Sequence, residues 1–175
     1  TGNRRAPRGL AHDAEGVARG SKSAVTIKRI GIVCPYSWDV PGGVRSHVAD
    51  LALTLKSKGY DVSVLAPVED PDTLPDYVFD GGRPIAVSYN GAVARLSFGV
   101  RATRRVRQWI REGNFDIVHI HEPVAPSSSL LTCWVARGPL VATWHSSNER
   151  SRILSAGYYV AQTAMEKIRG RIAVS

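Results

Sequence analysis

One short stretch of the 175-residue chain limits its fold more than any other. An apolar run at 30–33 precedes a loop that ends in Gly42 and Gly43, and apolar residues then recur at 44, 48, 51 and 55. The run predicts a buried strand, and the spacing of three and four residues predicts a helix. The two glycines leave the unpaired N–H groups of the first helical turn open to a ligand, and such a helix entrance attracts anions.

A tight turn between a strand and a helix would by itself account for a Gly-Gly pair. The loop also holds Tyr36, Trp38 and Asp39, however, and a plain turn needs neither two aromatic rings nor a carboxylate. We therefore expect the loop to bind a ligand. The spaced G-x-G-x-x-G pattern of dinucleotide-binding domains is absent, and Pro67 stands where their acidic residue ends the second strand, so NAD binding is not expected.

The remaining elements predict an α/β fold with a Rossmann-like, doubly wound and mostly parallel sheet. Strands are expected at 28–35, 61–67, 115–121, 139–145 and from 171, and helices at 43–58, 100–112, 124–136 and 152–169. Residues 68–82 read as a loop, and 84–98 as two short strands joined by an Asn90-Gly91 hairpin turn. Residues 1–27, rich in Arg, Gly and Ala, are expected to form a disordered leader before one domain at 28–175.

In such sheets ligands bind beyond the carboxyl ends of the strands. Those ends carry the glycine loop, the pair His119 and His121 with Glu122, and His145. Two histidines on one strand face raise the question of zinc, but there is no cysteine partner and no H-E-x-x-H spacing, so no metal site is predicted. We expect His145 to hydrogen-bond a ligand, whereas His119 reads as a structural histidine.

The positive charge of the chain is unevenly spread. The net charge is +8, but residues 1–29 hold seven basic and two acidic residues, so the net charge alone gives no reason to expect a nucleic-acid partner. The helix at 100–112 carries five arginines on one side, at 101, 104, 105, 107 and 111. Charged helix faces are usually only solvated, yet like charges three and four residues apart destabilise a helix, so this face suggests an anionic partner, either lipid or nucleic acid.

Several motifs in order carry a family resemblance. They are V-C-P-Y-S at 33–37, D-V-P-G-G-V at 39–44, S-V-L-A-P at 63–67, H-I-H-E-P at 119–123, A-T-W-H-S at 142–146 and R-I-A-V-S at 171–175. Together they resemble the N-terminal half of the retaining family 4 glycosyltransferases of GT-B fold. The segments L-P-D-Y at 74–77 and Y-N-G-A-V-A-R-L at 89–96 resemble, more narrowly, the phosphatidylinositol α-mannosyltransferases.

The resemblance implies GDP-mannose as donor, bound by a C-terminal half that this chain lacks, and phosphatidyl-myo-inositol as acceptor, bound by this half. It implies His145 at the reaction centre and no cofactor in this half. It also implies peripheral attachment to the inner, cytoplasmic face of the plasma membrane, and inactivity of the chain alone. The implied acceptor residues are Tyr36, Asp39, Gly42, Gly43, Tyr89, Asn90 and Arg95, and the implied membrane-binding residues are Arg104, Arg105 and Arg107.

Two positions depart from the family pattern. Val124 stands where Asn is usual after Glu-Pro, and Ser97 stands where a second Arg is usual. Two alternatives therefore stay open at this point. One is a family 4 transferase with another acceptor, such as a thiol precursor or a soluble sugar alcohol, and the other is a non-catalytic binding module.

Overall fold

A computed structural model describes residues 26–89, 92–145, 162–163 and 165–174, without the side chains of 87–89 and 92. Within the described ranges, the helices with defined bounds are α1 (Gly43–Ser57), α2 (Val100–Gly113) and α3 (Ser128–Val135). Residues 162–163 and 165 are also helical, and a 3-10 turn spans Pro71–Thr73. The strands are β1 (Arg29–Val33), β2 (Asp61–Ala66), β3 (Val78–Asp80), β4 (Ile85–Tyr89), β5 (Ala92–Leu96), β6 (Ile117–His121), β7 (Leu140–Trp144) and β8 (Ile168–Ala173).

Six strands form one parallel sheet in the order β3-β2-β1-β6-β7-β8. The chain moves outward from β1 to β3 and then returns to the other side of β1 with β6. The strand order therefore reverses between β1 and β6, which is where doubly wound sheets bind ligands. The Rossmann-like prediction is confirmed, and β4 and β5 form the predicted antiparallel pair. The predicted turn at Asn90-Gly91 lies outside the described residues.

Each face of the sheet has its own core. On one face α1 covers β1 and β2, with Val48 and Ala52 fully buried against Ile32 and Val64. On the other face α2 and α3 pack over the central strands through a second cluster. Apolar residues recur along these helices at helical spacing because each helix must bury one side against the sheet.

Trp109 explains why a glycine interrupts the first strand. Its ring is 1% exposed, and its Nε1 donates a hydrogen bond of 2.9 Å to Ser63 Oγ, which satisfies the buried indole N–H. A Cβ at Gly31 would lie 2.7 Å from the Trp109 ring, closer than side chains approach one another. The glycine in β1 is therefore required by the packing of α2 on the sheet.

Three sequence predictions need correction. The predicted loop at 68–82 contains β3, a strand of three residues that pairs with the edge of β2 and is too short to show a pattern. The helix predicted at 124–136 begins only at Ser128, because Ser127 caps it by accepting the backbone N–H of Ser129 at 3.1 Å. The helix predicted at 152–169 was placed two residues too far, because β8 starts at Ile168. Most of the predicted helix lies outside the described residues.

One prediction and one structural observation concern the chain as a whole. The leader predicted at 1–27 falls almost entirely outside the described residues, so the division of the chain into a leader and one domain stays a prediction. Among the described residues, no helix combines the length and the apolar character that crossing a bilayer requires.

Candidate active site

Three histidines meet at the carboxyl edge of the sheet. His121 ends β6, His145 follows β7, and His47 projects from the start of α1, four residues after Gly43. The Nδ1 of His121 lies 2.8 Å from the Nε2 of His145. The His47 ring centroid lies 5.1 Å from that of His145 and 5.5 Å from that of His121. We call these three residues the histidine cluster. The cluster places the start of α1 next to His145. This agrees with the prediction that the glycine loop and His145 lie at the same carboxyl edge of the sheet.

Burial keeps the inner imidazoles neutral. Burial is the larger cause and the neighbouring imidazoles the smaller one, and together they lower the pKa of His121 to about 2 and that of His119 to about 4. The pKa of the half-buried His145 is also lowered, by burial and by His47, against an opposing effect of Glu122. A neutral imidazole has one N–H and one lone pair. The 2.8 Å contact between His121 and His145 is therefore a hydrogen bond from one ring to the other.

Glu122 holds His145 from the backbone side. Its Oε1 accepts the backbone N–H of His145 at 2.8 Å, and its own N–H donates to the Thr143 carbonyl at 2.9 Å. Glu122 is 1% exposed and has a φ of 49°, in the left-handed region that a non-glycine residue adopts only at a cost of about 1–3 kcal/mol. His145 is thus fixed through its ring by His121 and through its backbone by Glu122.

His119, the other histidine of β6, is a structural residue. Its Nε2 lies 2.7 Å from Thr143 Oγ1 across the β6–β7 pair, in agreement with the sequence expectation. The sequence patterns did not predict a role for His47. They also did not predict that Glu122 supports His145. For Glu122 the available signal was its position in the run H-I-H-E-P, directly after the last residue of a buried strand.

The loop before α1 is shaped by its own side chains. The Asp39 carboxylate accepts Ser37 Oγ–H at 3.1 Å and the backbone N–H of Glu69 at 2.7 Å. Trp38 is 5% exposed and belongs to the core, so it is a packing residue. No side chain caps the first turn of α1, and a Cβ at Gly42 or Gly43 would meet nothing within 4 Å. The space in front of this helix entrance is open.

Comparison with known proteins identifies the family. Residues 41–175 match the pattern described as Glycosyltransferase Family 4. The chain belongs to glycosyltransferase family 4. Its doubly wound parallel sheet has the architecture expected for the N-terminal half of a GT-B enzyme.

Relatives of this family 4 chain are longer than it is. It is 55% identical over 147 residues to the phosphatidyl-myo-inositol mannosyltransferase of Mycolicibacterium smegmatis, an alignment covering 84% of this chain and 38% of the relative. The protein of that name from Mycobacterium tuberculosis strain H37Rv is 51% identical over 147 residues, with 84% and 39% covered. That from Propionibacterium freudenreichii subsp. shermanii is 38% identical over 154 residues, with 84% and 40% covered. The chain therefore spans about two fifths of the length of these curated relatives.

Three of the predicted acceptor residues of the family 4 chain lie together where the α1 loop meets β5. Tyr36 forms a β-bridge with Leu96, and the Ser37 N–H donates to the Arg95 carbonyl at 3.0 Å. The Arg95 guanidinium forms an ion pair with the Glu69 carboxylate. The backbone N–H of Glu69 donates to the Asp39 carboxylate. The structure thus brings Tyr36, Asp39 and Arg95 to one place. The Tyr89 side chain and Asn90 lie outside the described residues.

The predicted arginine trio on α2 is divided between two cavities. Arg104 and Arg105 line one of about 400 Å³ together with Arg83 and Arg101, and Arg105 also pairs with Asp80 at 2.9 Å. Arg107 lines a different cavity of about 620 Å³, near the end of the helix. Two exposed apolar side chains, Ile85 and Phe98, line a neighbouring cavity that shares Arg83 and Arg101 with the first.

The histidine cluster also has the spacing of a metal site. One ring nitrogen from each of its three residues lies within 4.8 Å of the others, a separation that a single divalent cation could bridge with a modest shift. Binding would replace the hydrogen bond between His121 and His145, because both nitrogens would have to offer lone pairs. The expectation that this family 4 chain holds no metal stays a prediction, and titration with Zn²⁺ tests it.

Proposed function

We propose that this family 4 chain is the acceptor-binding half of a membrane-associated enzyme that transfers mannose from GDP-mannose to phosphatidyl-myo-inositol. The observation that carries the proposal is the position of His145, which is supported on two sides and has its ring 5.1 Å from that of His47 near the start of α1. The names of relatives at up to 55% identity support the reaction class. We further propose that the chain alone is inactive, with the donor bound by a C-terminal half.

The acceptor phosphate would bind at the entrance of α1. The first-turn N–H groups there have no side-chain cap and the adjacent space is open, which suits a phosphate at the positive end of the helix dipole. The inositol ring would lie against Tyr36, Asp39 and Arg95, with Tyr89 and Asn90 from the hairpin. A hydroxyl-rich ring needs this mixture of donors and acceptors.

His145 would hydrogen-bond the reacting hydroxyl or the incoming sugar. Its lowered pKa favours a neutral ring, which can donate or accept without adding charge near the departing diphosphate. A retaining transfer of this type does not require the paired carboxylates of a glycosidase. The hydrogen bond between the His121 and His145 rings would hold the His145 ring in one orientation, so that its free edge points at the acceptor.

Membrane attachment would use the side of the chain that carries the 400 Å³ cavity. Arginines there could contact anionic headgroups while the adjacent exposed apolar side chains of Ile85 and Phe98 enter the interface. Each basic residue near an anionic surface contributes about 1 kcal/mol, so several contacts give reversible attachment. The inner face of the plasma membrane, which carries anionic lipid, is the proposed location.

Two measurements test the proposal. Sedimentation with vesicles should show tighter binding to phosphatidylinositol than to phosphatidylglycerol at equal mole fraction. The two lipids have the same charge, so a preference reports recognition of the inositol ring. Equal binding would remove phosphatidylinositol as the acceptor and leave the soluble acceptors to be tried.

The second measurement is mannose transfer. Incubation of the chain with GDP-mannose and phosphatidylinositol vesicles should give no mannolipid, whereas addition of a donor half from the Mycolicibacterium smegmatis relative should restore transfer. Turnover by the chain alone would refute the half-enzyme proposal. A His145→Ala variant that folds normally but still supports full transfer would refute the role of His145.

A further inference from the structure

A basic groove lies at the edge of the sheet opposite the histidine cluster. It has a volume of about 620 Å³ and is bordered by the C-terminal ends of α2 and α3 and by the residue before β8. These ends lead into the amino ends of β6, β7 and β8, so the groove and the cluster are separated by the length of the strands. The lining residues are Arg107, Ile110, Arg111, Trp134, Val135, Arg137 and Lys167, and we call this site the amino-edge groove.

Four of the seven lining residues are cations and none is an acid. In the described part of the chain the ion pairs use Arg29, Lys56, Arg95 and Arg105, so no groove cation has a carboxylate partner there. Lys167 Nζ donates to the Trp134 carbonyl at 2.7 Å, which holds the ammonium group at the groove.

Helix dipoles explain only part of this arrangement. A cation in the last turn of a helix or just after it is favourable, and Arg111 and Arg137 occupy such positions on α2 and α3. Lys167 also meets a helix C-terminus, because its Nζ binds the Trp134 carbonyl in the last turn of α3. Arg107 lies further from the end of α2 and has no such reason to line the same cavity. Four like charges around one groove repel each other unless an anion lies between them.

The apolar part of the lining limits the kind of anion. Trp134 is 36% exposed although it is a large aromatic residue, and Ile110 and Val135 are partly buried beside it. Arginine forks bind phosphate oxygens in pairs, and the indole offers a flat surface for an apolar or aromatic group. The volume lies within the range of small-molecule sites.

We propose that the amino-edge groove is a second ligand site, which binds a phosphate ester that carries an apolar or aromatic group. The ligand is either a soluble nucleotide or the headgroup of an anionic lipid, since both have this chemistry. The site is distinct from the proposed acceptor site because it lies at the opposite edge of the sheet. It does not depend on the mannosyltransferase proposal.

Tryptophan fluorescence of the whole chain tests the proposal. Trp38 and Trp109 are buried and Trp144 lies at the other end of β7, so Trp134 is the indole placed to report ligand in the groove. The probes are GDP in solution and vesicles of phosphatidylglycerol in phosphatidylcholine, with pure phosphatidylcholine as the neutral reference. A Trp134→Phe variant should remove the fluorescence change that the probe produces.

Paired charge variants locate the site. The double variant Arg111→Ser with Arg137→Ser should weaken binding of the effective probe at least tenfold. The matched control, Lys58→Ser with Arg171→Ser, removes the same charge from exposed positions outside the groove and should change affinity less than twofold. Circular dichroism checks folding, and the single variant Arg137→Ser, at an exposed position after α3, replaces the double variant if the latter unfolds.

The outcomes separate the two ligand sources. Tenfold weaker GDP binding in the groove variant alone supports a soluble ligand, and the same selective loss with vesicles but no GDP binding supports a lipid headgroup. Equal losses in the groove variant and the control mean that only net charge matters, and this overturns the proposal. Absence of binding to both probes also overturns it.

Discussion

Substitutions at Glu122 test how the backbone of His145 is held in place. Replacing Glu122 by Ala removes the carboxylate oxygen that accepts the His145 N–H at 2.8 Å. A hydrogen bond to a charged group contributes about 1.5–3 kcal/mol, and the loss leaves a partly buried N–H without its acceptor. We therefore expect the free energy of unfolding to fall by about 1.5–3 kcal/mol, or roughly 3–12 °C in Tm for a domain of this size.

Glycine at the same position should be less harmful than alanine. With a φ of 49°, residue 122 occupies the left-handed region, where a Cβ costs about 1–2 kcal/mol. Glycine removes that cost. It also lowers the free energy of unfolding by about 0.4–1 kcal/mol, because it gives the unfolded chain more conformations. The Glu122→Gly variant should therefore be more stable than the Glu122→Ala variant by about 0.8 kcal/mol, the difference between the midpoints of these two ranges.

Urea unfolding of Glu122→Ala, Glu122→Gly and Glu122→Gln checks this reasoning. Glutamine keeps an oxygen that can accept the His145 N–H, so it should lose less than about 1 kcal/mol. An alanine variant as stable as the wild type would show that the hydrogen bond contributes nothing. An alanine variant more stable than the glycine variant would refute the strain argument.

Three further predictions follow from other parts of the fold. Gly31→Ala should lower the free energy of unfolding by about 1–3 kcal/mol and shift the emission of Trp109, because the new Cβ would lie 2.7 Å from the ring. Lowering the pH from 7 to 5 should cost about 4 kcal/mol of stability, about 2 from each of His119 and His121, because the unfolded chain takes up protons below pH 6.5 whereas the folded chain does not until about pH 4 and 2. Urea titrations at the two pH values measure this drop, which a His121→Gln variant should roughly halve, and an unchanged stability would show that the two rings titrate freely. Replacing the predicted membrane trio on α2 by serine should weaken binding to anionic vesicles by about 100-fold, from about 1 kcal/mol for each of three cations, and unaltered flotation would remove that role.

Much of the fold could be predicted from local patterns. The strand, glycine loop and helix around Gly42 have the predicted order, and the carboxyl ends of β1, β6 and β7 meet at one edge because parallel strands share a direction. The α2 pattern also held, since its apolar positions had to face the sheet. Predictions were wrong where an element was as short as β3 or where a cap decided the boundary, as at Ser127.

The composition of the site was harder to predict. His47 comes from a helix and His121 from a strand 74 residues later, and no local pattern indicates that their rings lie 5.5 Å apart. The left-handed backbone of Glu122 is equally invisible, because glutamate is not a residue that favours this conformation. The division of the α2 arginines between two cavities depends on which neighbouring helix or strand each one faces.

The sequence alone thus determined the class of fold, the family, and the edge of the sheet at which the candidate site lies. These features depend on periodicity, chain order and contiguous motifs, which are local properties of the chain. Only the tertiary structure decided what supports His145, which arginines share a cavity, and that a second basic groove lies at the far edge. These depend on distances between residues far apart in sequence, which are set by how the helices pack on the sheet.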